Sequence, residues 1–191
     1  MTILYAGIDE VGRGSIFGPV FACVVLIQEH ASNILRNHGI KDSKKLSKKK
    51  REEFAKIIFE LATDIGIGQS SAREIDLNGI RNSTDLSMIR ALQKLESQPK
   101  KLLIDGNSIL KDWKSPQEAI VKGDEKIISI SAASIIAKVN RDKLMILLSN
   151  QYPKYNLHKN CGYGTKEHFN AIHEYGLSPL HRKSFCKKQL K

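Results

Sequence analysis

The sequence has few cysteines and no long apolar segment. Its three cysteines, Cys23, Cys161 and Cys186, are far apart and include no CxxC pair, so a disulfide framework is not expected. The longest apolar run, Val20–Ile27, is too short to cross a bilayer. Acidic residues at positions 9 and 10 interrupt the N-terminus before the apolar core of a signal peptide could form. These absences argue against a secreted or membrane-embedded protein and predict a cytoplasmic one.

Acidic residues are the scarcer charge. The 191 residues contain 31 Lys and Arg against 20 Asp and Glu, which gives a formal net charge of +11, while the hydrophobic share of 41% is that of a globular protein. This excess indicates a polyanionic partner, although many soluble proteins are basic without one. No internal repeat, low-complexity tract or interdomain linker is visible, so we expect a single core.

The hydrophobic pattern predicts a buried sheet with helices packed against it. Residues 3–9 and 19–27 are apolar and joined by a glycine-rich turn, which predicts a hairpin. Shorter strands are predicted at 64–68, 101–104 and 119–121. Helices are predicted after Ser47, a suitable N-cap, and at 85–96, 131–148 and 166–175. The helix at 131–148 starts with small residues, as a close approach to a neighbouring backbone would require.

Carboxylates follow three of the predicted strands. They are Asp9 with Glu10, Asp105, and Asp124. In a parallel or mixed sheet such strand ends meet along one edge, where ligand sites of α/β folds commonly lie. Four carboxylates could hold two Mg²⁺ or Mn²⁺ ions, which prefer oxygen ligands. Two such ions about 3.5 to 4 Å apart can activate water and stabilise the leaving oxygen of a phosphodiester, so the pattern predicts phosphodiester hydrolysis.

The turn after the first two acids suits a phosphate-containing ligand. Gly12 and Gly14 allow the backbone to approach a ligand closely, and Arg13 between them offers a planar fork that matches phosphate. The sequence therefore predicts that metal and phosphate meet near this turn.

Each acid also has a structural interpretation. Asp105-Gly106 is a common turn dipeptide, and Asp124 could cap the region before the next helix. Strand alternation places Asp9 and Glu10 on opposite faces unless the strand ends or bulges there, so Glu10 could contribute differently from Asp9.

A zinc site is a weaker hypothesis. His158, Cys161, His168 and His173 have no recognised zinc spacing. We expect His168 and His173 on the surface of their helix.

Seven segments, in order along the chain, closely resemble the ribonuclease HII family, the type 2 ribonucleases H. The segments are Asp9-Glu10-Val11-Gly12-Arg13-Gly14 with Gly18-Pro19, Asp42-Ser43-Lys44-Lys45-Leu46, Asp105-Gly106, Lys122-Gly123-Asp124, residues 131–142, Gly162-Tyr163-Gly164-Thr165, and His181-Arg182-Lys183-Ser184-Phe185. Each motif alone is weak, but their ordered combination is highly specific. The sequence departs mildly at Val11, where many members have alanine.

This resemblance implies a ribonuclease H-like α/β fold, with a mixed central sheet flanked by helices and a C-terminal helical extension. It implies one catalytic domain over residues 1–191, with about 150–191 as the extension packed on it. The implied activity is endonucleolytic cleavage of RNA in RNA/DNA hybrids and on the 5′ side of single ribonucleotides in duplex DNA, leaving a 3′-hydroxyl and a 5′-phosphate. The implied metal is Mg²⁺ or Mn²⁺, held by Asp9, Glu10, Asp105 and Asp124. We expect a monomer.

The resemblance also assigns the substrate contacts. Gly12, Arg13 and Gly14 would contact the ribonucleotide, whose 2′-hydroxyl distinguishes RNA from DNA. Tyr163 would pack on the following deoxyribose, where a 2′-hydroxyl would spoil the packing; from the sequence alone it is an ordinary loop aromatic. The segment Ser43-Lys44-Lys45 would contact phosphate, which positions a duplex without reading its bases.

Other basic residues have less specific interpretations. Lys138, a further expected substrate contact, belongs to a possible polar stripe with Ser134, Arg141 and Asp142. Lys138 and Arg141 could instead be structural ion-pair partners. The run of basic residues at 48–51 is more typical of a solvated helix face.

Two alternatives remain open at this stage. A ribonuclease HIII would share the acids and the fold, but that family usually lacks the arginine matching Arg13 and carries an extra N-terminal domain, so Arg13 and the start at Met1 disfavour it. A non-catalytic nucleic-acid-binding module would explain the charge of +11. It has no need for acids at three strand ends, because they would repel phosphate.

Overall fold

A single mixed sheet organises the protein, whose computed structural model describes residues 5–40 and 46–187. The strands lie in the order β3–β2–β1–β4–β5. Their bounds are β1 Tyr5–Val11, β2 Val20–Ile27, β3 Asp64–Ser70, β4 Lys101–Asp105 and β5 Gln117–Ile120. The first three strands pair antiparallel, whereas β1, β4 and β5 run parallel. The predicted hairpin and mixed sheet are confirmed.

Helices cover both faces of this sheet. They are α1 Glu29–Asn37, α2 Lys48–Leu61, α3 Ala72–Leu92, α4 Gly123–Lys126, α5 Ile128–Gln151, α6 Leu157–Asn160, α7 Lys166–Tyr175 and α8 Lys183–Cys186. Every residue of β2 is buried because one side packs against α1, α2 and α5 and the other against α3. This two-sided burial explains why β2 reads as an unbroken apolar run.

The close approach of α5 to β1 depends on small residues. A Cβ atom at Gly7 would lie 2.2 Å from the backbone carbon of Ser129, so no other residue fits there without a shift. Ala132 and Ala133 follow on the buried part of the helix. The prediction of close packing at this helix is confirmed, and the helix is longer at both ends than the predicted 131–148.

Besides the four-residue helices α4, α6 and α8, two longer helical segments were not predicted. Helix α1 follows β2 directly, and α3 begins at Ala72 rather than near residue 85. The first half of α3 is polar and weakly periodic, and Gly79 interrupts it with a left-handed φ of 77°. A capping box between Ser71 and Glu74 starts this helix and was the available sequence signal.

The C-terminal elements pack on the turn between β1 and β2. Tyr155, from a 3-10 turn, Leu157 and Ile172 form a third apolar cluster with Phe17 of that turn and Met145 of α5. The bounds of α7 match the predicted helix at 166–175. No helix in the described ranges could serve as a bilayer-spanning segment.

Candidate active site

Three aspartates meet at one edge of the sheet. Asp9 lies in β1, Asp105 ends β4, and Asp124 lies in α4. Each offers a carboxylate oxygen, and these oxygens all lie within 4.8 Å of one another. The parallel pairing of β1 with β4 brings the first two together, because both strands run toward the same edge.

Asp124 lies after a turn that the sequence pattern did not predict. Strand β5 ends at Ile120, and Lys122 then adopts a left-handed conformation with a φ of 55° before α4 begins. The interpretation of Asp124 as the end of a third strand is therefore wrong, since it lies in the first turn of a short helix. The N–H of Gly123 donates to Oδ1 of Asp105 at 2.7 Å, which ties α4 to the end of β4.

Glu10 is not one of these three, although it lines a cavity that also contains Asp9 and Asp105. Strand β1 continues regular pairing with β2 as far as Val11, so there is no bulge, and Asp9 and Glu10 project from opposite faces. Asp9 faces α5, where it forms a hydrogen bond with Ser134. Glu10 lines a cavity on the α3 side and pairs with Arg13, whose Nη1 lies 3.2 Å from its Oε1.

Burial makes the charge of this site costly. The side chain of Asp9 is buried, and this burial raises its pKa well above the usual value; the charges of Glu10 and Asp105 raise it further, and the hydrogen bond with Ser134 opposes them. Burial also raises the pKa of Glu10, against the lowering effect of Arg13. Close, buried carboxylate oxygens of this kind fit a hard divalent cation such as Mg²⁺ or Mn²⁺, which would offset their repulsion.

The Gly12–Gly14 turn presents backbone beside the carboxylates. Gly12 has a left-handed φ of 87°, and a Cβ atom there would lie 2.2 Å from Nε of Arg141 beneath the turn. At Gly14 no heavy atom lies within 4 Å of the Cβ position among the described residues. The turn is therefore packed on its inner side and open on its outer side.

One cavity contains most of the predicted site. It is lined by Asp9, Glu10, Val11, Gly12, Arg13, Gly14, Arg51, Asp105, Ser134, Lys138 and Tyr163. Tyr163 reaches it from the loop after α6, where it pairs with Ser15 in an isolated bridge. Asp124 does not line this cavity, although its carboxylate meets those of Asp9 and Asp105. The predicted phosphate contacts Ser43, Lys44 and Lys45 lie outside the described residues.

Arg51 differs from its sequence interpretation. It was expected on a solvated helix face, but its side chain is only 14% exposed. It donates a hydrogen bond to the carbonyl of Leu46, and its Nη2 lies 3.8 Å from Oδ2 of Asp142. The spacing of Arg51 from the buried residues Phe54 and Ile58 could have indicated this inward position.

The polar residues of α5 divide into two kinds. Lys138 donates to Oδ1 of Asp142 at 2.8 Å and also lines the cavity. Arg141 is completely buried and donates to backbone carbonyls and to Ser15, so the structure gives it no ion pair among the described residues. The ion-pair interpretation therefore holds for Lys138 and is wrong for Arg141.

The buried positions of His168 and His181 were not predicted from the sequence. His168 is completely buried, so its predicted surface position is wrong. The N–H of Ser178 donates to Nδ1 of His181, which leaves the proton of His181 on Nε2, 3.1 Å from Nε2 of His168. His168 then donates from Nδ1 to the carbonyl of Tyr163 at 3.0 Å. Neutral histidines thus tie the loop of Tyr163 to the C-terminal segment.

Comparison with known proteins identifies the family. The family model described as ribonuclease HII matches residues 6–188. The chain belongs to the ribonuclease HII family. Curated ribonuclease HII proteins from two strains of Prochlorococcus marinus, subsp. pastoris MED4 and MIT 9215, are 54% and 55% identical to it. Each alignment covers 95% of this chain, and 87% and 89% of the relatives.

Solved structures agree with this assignment. The ribonuclease H2 of Pyrococcus horikoshii OT3 is 27% identical, with a TM-score of 0.84 over 98% of this chain and 97% of that one. The ribonuclease HII of Archaeoglobus fulgidus, solved as a complex with PCNA, is 25% identical, with a TM-score of 0.80 over 98% of this chain and 95% of that one. The predicted ribonuclease H-like fold is confirmed.

Membership of the ribonuclease HII family also determines the general activity. The protein is a ribonuclease H, a phosphodiester hydrolase that acts on nucleic acid and depends on a divalent metal. The interpretation as a non-catalytic binding module is therefore wrong, and so is the alternative assignment to ribonuclease HIII.

Proposed function

We propose that this protein cuts the RNA strand of RNA/DNA hybrids and the 5′ side of single ribonucleotides in duplex DNA, leaving a 3′-hydroxyl and a 5′-phosphate. One observation carries the proposal: two of the three meeting aspartates line a cavity together with the Gly12–Gly14 turn and Tyr163. A phosphodiester lying over the acids would therefore have its sugars beside the turn and the tyrosine.

The proposed metal ligands are Asp9, Asp105 and Asp124, with Glu10 approaching from the opposite face of the strand. Mg²⁺ or Mn²⁺ is the expected ion because every donor is a carboxylate oxygen. A pair of such ions bound by these carboxylates would supply activation of the attacking water and stabilisation of the leaving oxygen. The carboxylates position that chemistry at the sheet edge, and the hydrogen bond from the N–H of Gly123 holds Asp105 in place.

Ribonucleotide recognition is assigned to the turn. Within the described residues, the N–H groups of Arg13 and Gly14 have no protein acceptor, whereas the next amide, that of Ser15, donates to the carbonyl of Gly12 at 3.3 Å. These two amides, beside the carboxylates, are suitable donors to a 2′-hydroxyl or a phosphate oxygen. Tyr163, whose side chain is partly exposed, would pack on the following deoxyribose.

Basic side chains would hold the rest of the duplex. Arg13, with a side chain 55% exposed, and Lys138, on the cavity wall, are the proposed phosphate contacts of the described residues. Ser43, Lys44 and Lys45 stay proposals of the same kind. The net charge of +11 favours this long-range attraction of nucleic acid.

The wider cellular role is also a proposal. We expect a monomer that forms one catalytic domain over residues 1–191 and acts in the cytoplasm. Its proposed roles there are ribonucleotide excision repair and the removal of RNA during DNA replication.

A matched set of duplexes tests the proposal. The full chain is incubated in Mg²⁺ with 5′-labelled duplex DNA bearing one ribonucleotide, with an all-DNA duplex of the same sequence, and with a uniform RNA/DNA hybrid. We expect cleavage of the first and third duplexes only, and a single cut 5′ of the ribonucleotide in the first. Excess EDTA should abolish both reactions. Failure to cut the single-ribonucleotide duplex would refute the finer specificity, while cleavage of the hybrid alone would retain the general ribonuclease H activity.

A further inference from the structure

We propose that Arg141 and Arg182 are positioning residues that couple the Gly12–Gly14 turn to Tyr163 and thereby set the preference for a ribonucleotide followed by deoxyribose. This inference rests on the proposed function of the turn and the tyrosine. Both guanidinium groups are completely buried, so neither contacts a nucleic acid directly.

Arg141 links two separate segments from beneath, the turn after β1 and the loop after α6. Its Nη2 donates to Oγ of Ser15 at 2.7 Å and to the carbonyl of Phe17 at 3.2 Å, and its Nε donates to the carbonyl of Pro19 at 3.3 Å. Its Nη1 donates to the carbonyl of Cys161 at 2.8 Å. One guanidinium on α5 therefore fixes both the turn after β1 and the start of the loop that carries Tyr163.

Arg141 also contacts the tyrosine itself. Its Cζ lies 5.5 Å from the centroid of the Tyr163 ring, within the range of a cation–π interaction. Ser15, the acceptor for Arg141, donates in turn to the carbonyl of Gly162 at 2.6 Å. A continuous set of contacts therefore joins the turn to the tyrosine, and a displacement of the turn would be transmitted along it.

Arg182 orients the turn from the C-terminal segment. Its Nη1 donates to the carbonyl of Arg13 and its Nε to the carbonyl of Gly18, both at 2.9 Å. Because a peptide group is planar and trans, the carbonyl of Arg13 and the N–H of Gly14 point in opposite directions. Holding the carbonyl inward thus directs the N–H of Gly14 outward, toward the face where the turn is open.

Stability alone does not account for these two cations. Within the described residues neither guanidinium forms an ion pair with a carboxylate, and Nη2 of Arg182 is buried without a hydrogen-bond acceptor. Burial lowers the pKa of both, that of Arg182 to about 9. Burying a charge with no carboxylate in direct contact is costly, so a purely structural role would be served better by apolar side chains. What a guanidinium supplies here is a rigid, planar set of donors with fixed directions.

The coupling matters most for one class of substrate. A ribonucleotide followed by deoxyribose uses both the turn and the packing of Tyr163. A uniform RNA/DNA hybrid places a 2′-hydroxyl under the tyrosine and does not use that packing. Loosening the contacts between the turn and Tyr163 should therefore lower kcat/KM for the first substrate more than for the second.

The test measures kcat/KM for the single-ribonucleotide duplex and for the uniform hybrid in the wild-type chain and in R141K and R182K. Lysine keeps the charge but cannot reproduce the fork. We expect the ratio of the two kcat/KM values to fall by at least about tenfold, since displacement of positioned groups by an ångström can cost a hundredfold. R90K is the matched control, because Arg90 pairs with Glu74 on the surface of α3 at 2.7 Å. Its ratio should stay unchanged.

An unchanged ratio would overturn the inference, whether both kcat/KM values stay the same or fall in parallel. Arg141 and Arg182 would then have a structural role only. If R141K and R182K do not fold, Ser15→Ala decides in their place, because it removes the shortest acceptor of Arg141 without adding volume. Failure of the wild-type chain to cut the single-ribonucleotide duplex would instead count against the proposed function. A double variant with Tyr163→Ala should lose no further preference if Arg141 acts through the tyrosine.

Discussion

Two regions of the protein bury charges of a single sign: the sheet edge with its three aspartates, and the joint, which is the pair Arg141 and Arg182 beneath the Gly12–Gly14 turn. The two regions differ in the hydrogen-bond partners of their charged groups. At the edge, Asp9 and Asp124 are buried together with the half-buried Asp105, and all three side chains only accept hydrogen bonds when ionised. At the joint, Arg141 and Arg182 only donate, and backbone carbonyls receive most of their hydrogen bonds.

This difference separates a site where negative charges meet, which a bound cation would offset, from one where each positive charge donates to carbonyls within the chain. A folded chain offers many buried carbonyls to a guanidinium but few free donors to a cluster of carboxylates. The carboxylates consequently fit a cation from solution, whereas the guanidinium groups hold the chain that surrounds them. The predictions below test this contrast.

The largest expected effect is a loss of activity when Asp9, one of the three meeting aspartates, is replaced. Asp9→Asn should lower kcat by at least about a hundredfold, because a ligand for the ion that stabilises charge in the reaction is lost. The unfolding free energy should not fall. The fold disfavours an ionised Asp9, whose pKa is raised by burial and then by Glu10, and a neutral side chain removes this penalty. Hybrid cleavage and thermal unfolding measure the two quantities.

Asp112→Asn, an exposed change outside the cavities that contain the acids, should leave activity unchanged. Mg²⁺ at a hundred times its Kd should stabilise the wild-type protein against unfolding by about 2.7 kcal/mol. The Asp9 variant should lose most of this stabilisation. Equal stabilisation of the variant, or undiminished turnover, would contradict a metal site at Asp9.

A smaller effect, on stability, is expected from the buried histidine pair His168 and His181. Burial, and then the neighbouring His168, lowers the pKa of His181 to about 4 from 6.5. The unfolded chain therefore binds more protons between these values, so this contribution to stability is complete above pH 6.5 and is lost as the pH falls toward 4. From pH 7 to pH 5 we expect a loss of about 2 kcal/mol from this group.

His181→Gln should flatten this pH dependence, as measured by denaturant unfolding at each pH. His173→Gln is the control because His173 lies on the exposed face of the same C-terminal region, and it should leave the slope as in the wild type. A wild-type slope in the His181 variant would show that the buried pair does not titrate in this way.

The smallest effect is expected at the outer side of the turn. Gly14→Ala should change the unfolding free energy by less than about 0.5 kcal/mol, because nothing occupies the space of the added methyl group. Gly12→Ala should cost about 1 to 3 kcal/mol, since its methyl group would meet Arg141 and the left-handed φ disfavours alanine. Denaturant unfolding distinguishes the two. Equal costs would contradict the assignment of an inner and an outer side.

Much of the sheet could be predicted because its pattern is local. The unbroken apolar run of β2 and the strands that carry Asp9 and Asp105 follow from hydrophobic periodicity. The first half of α3 could not be predicted from periodicity because its residues are polar and Gly79 breaks its regularity. Asp124 was assigned to a strand end because the pattern of β5 does not show the left-handed turn at Lys122.

The sequence by itself determined which residues could bind a cation, because carboxylates lie near the ends of β1 and β4 and shortly after β5, and its ordered motifs determined the family. The tertiary structure decided which of them meet: Asp9, Asp105 and Asp124 do, while strand alternation directs Glu10 to the other face. It also decided the role of Arg182, whose hydrogen bond to Arg13 joins residues 169 positions apart. No local pattern encodes such a contact, because it depends on how the C-terminal segment packs against the first turn of the sheet.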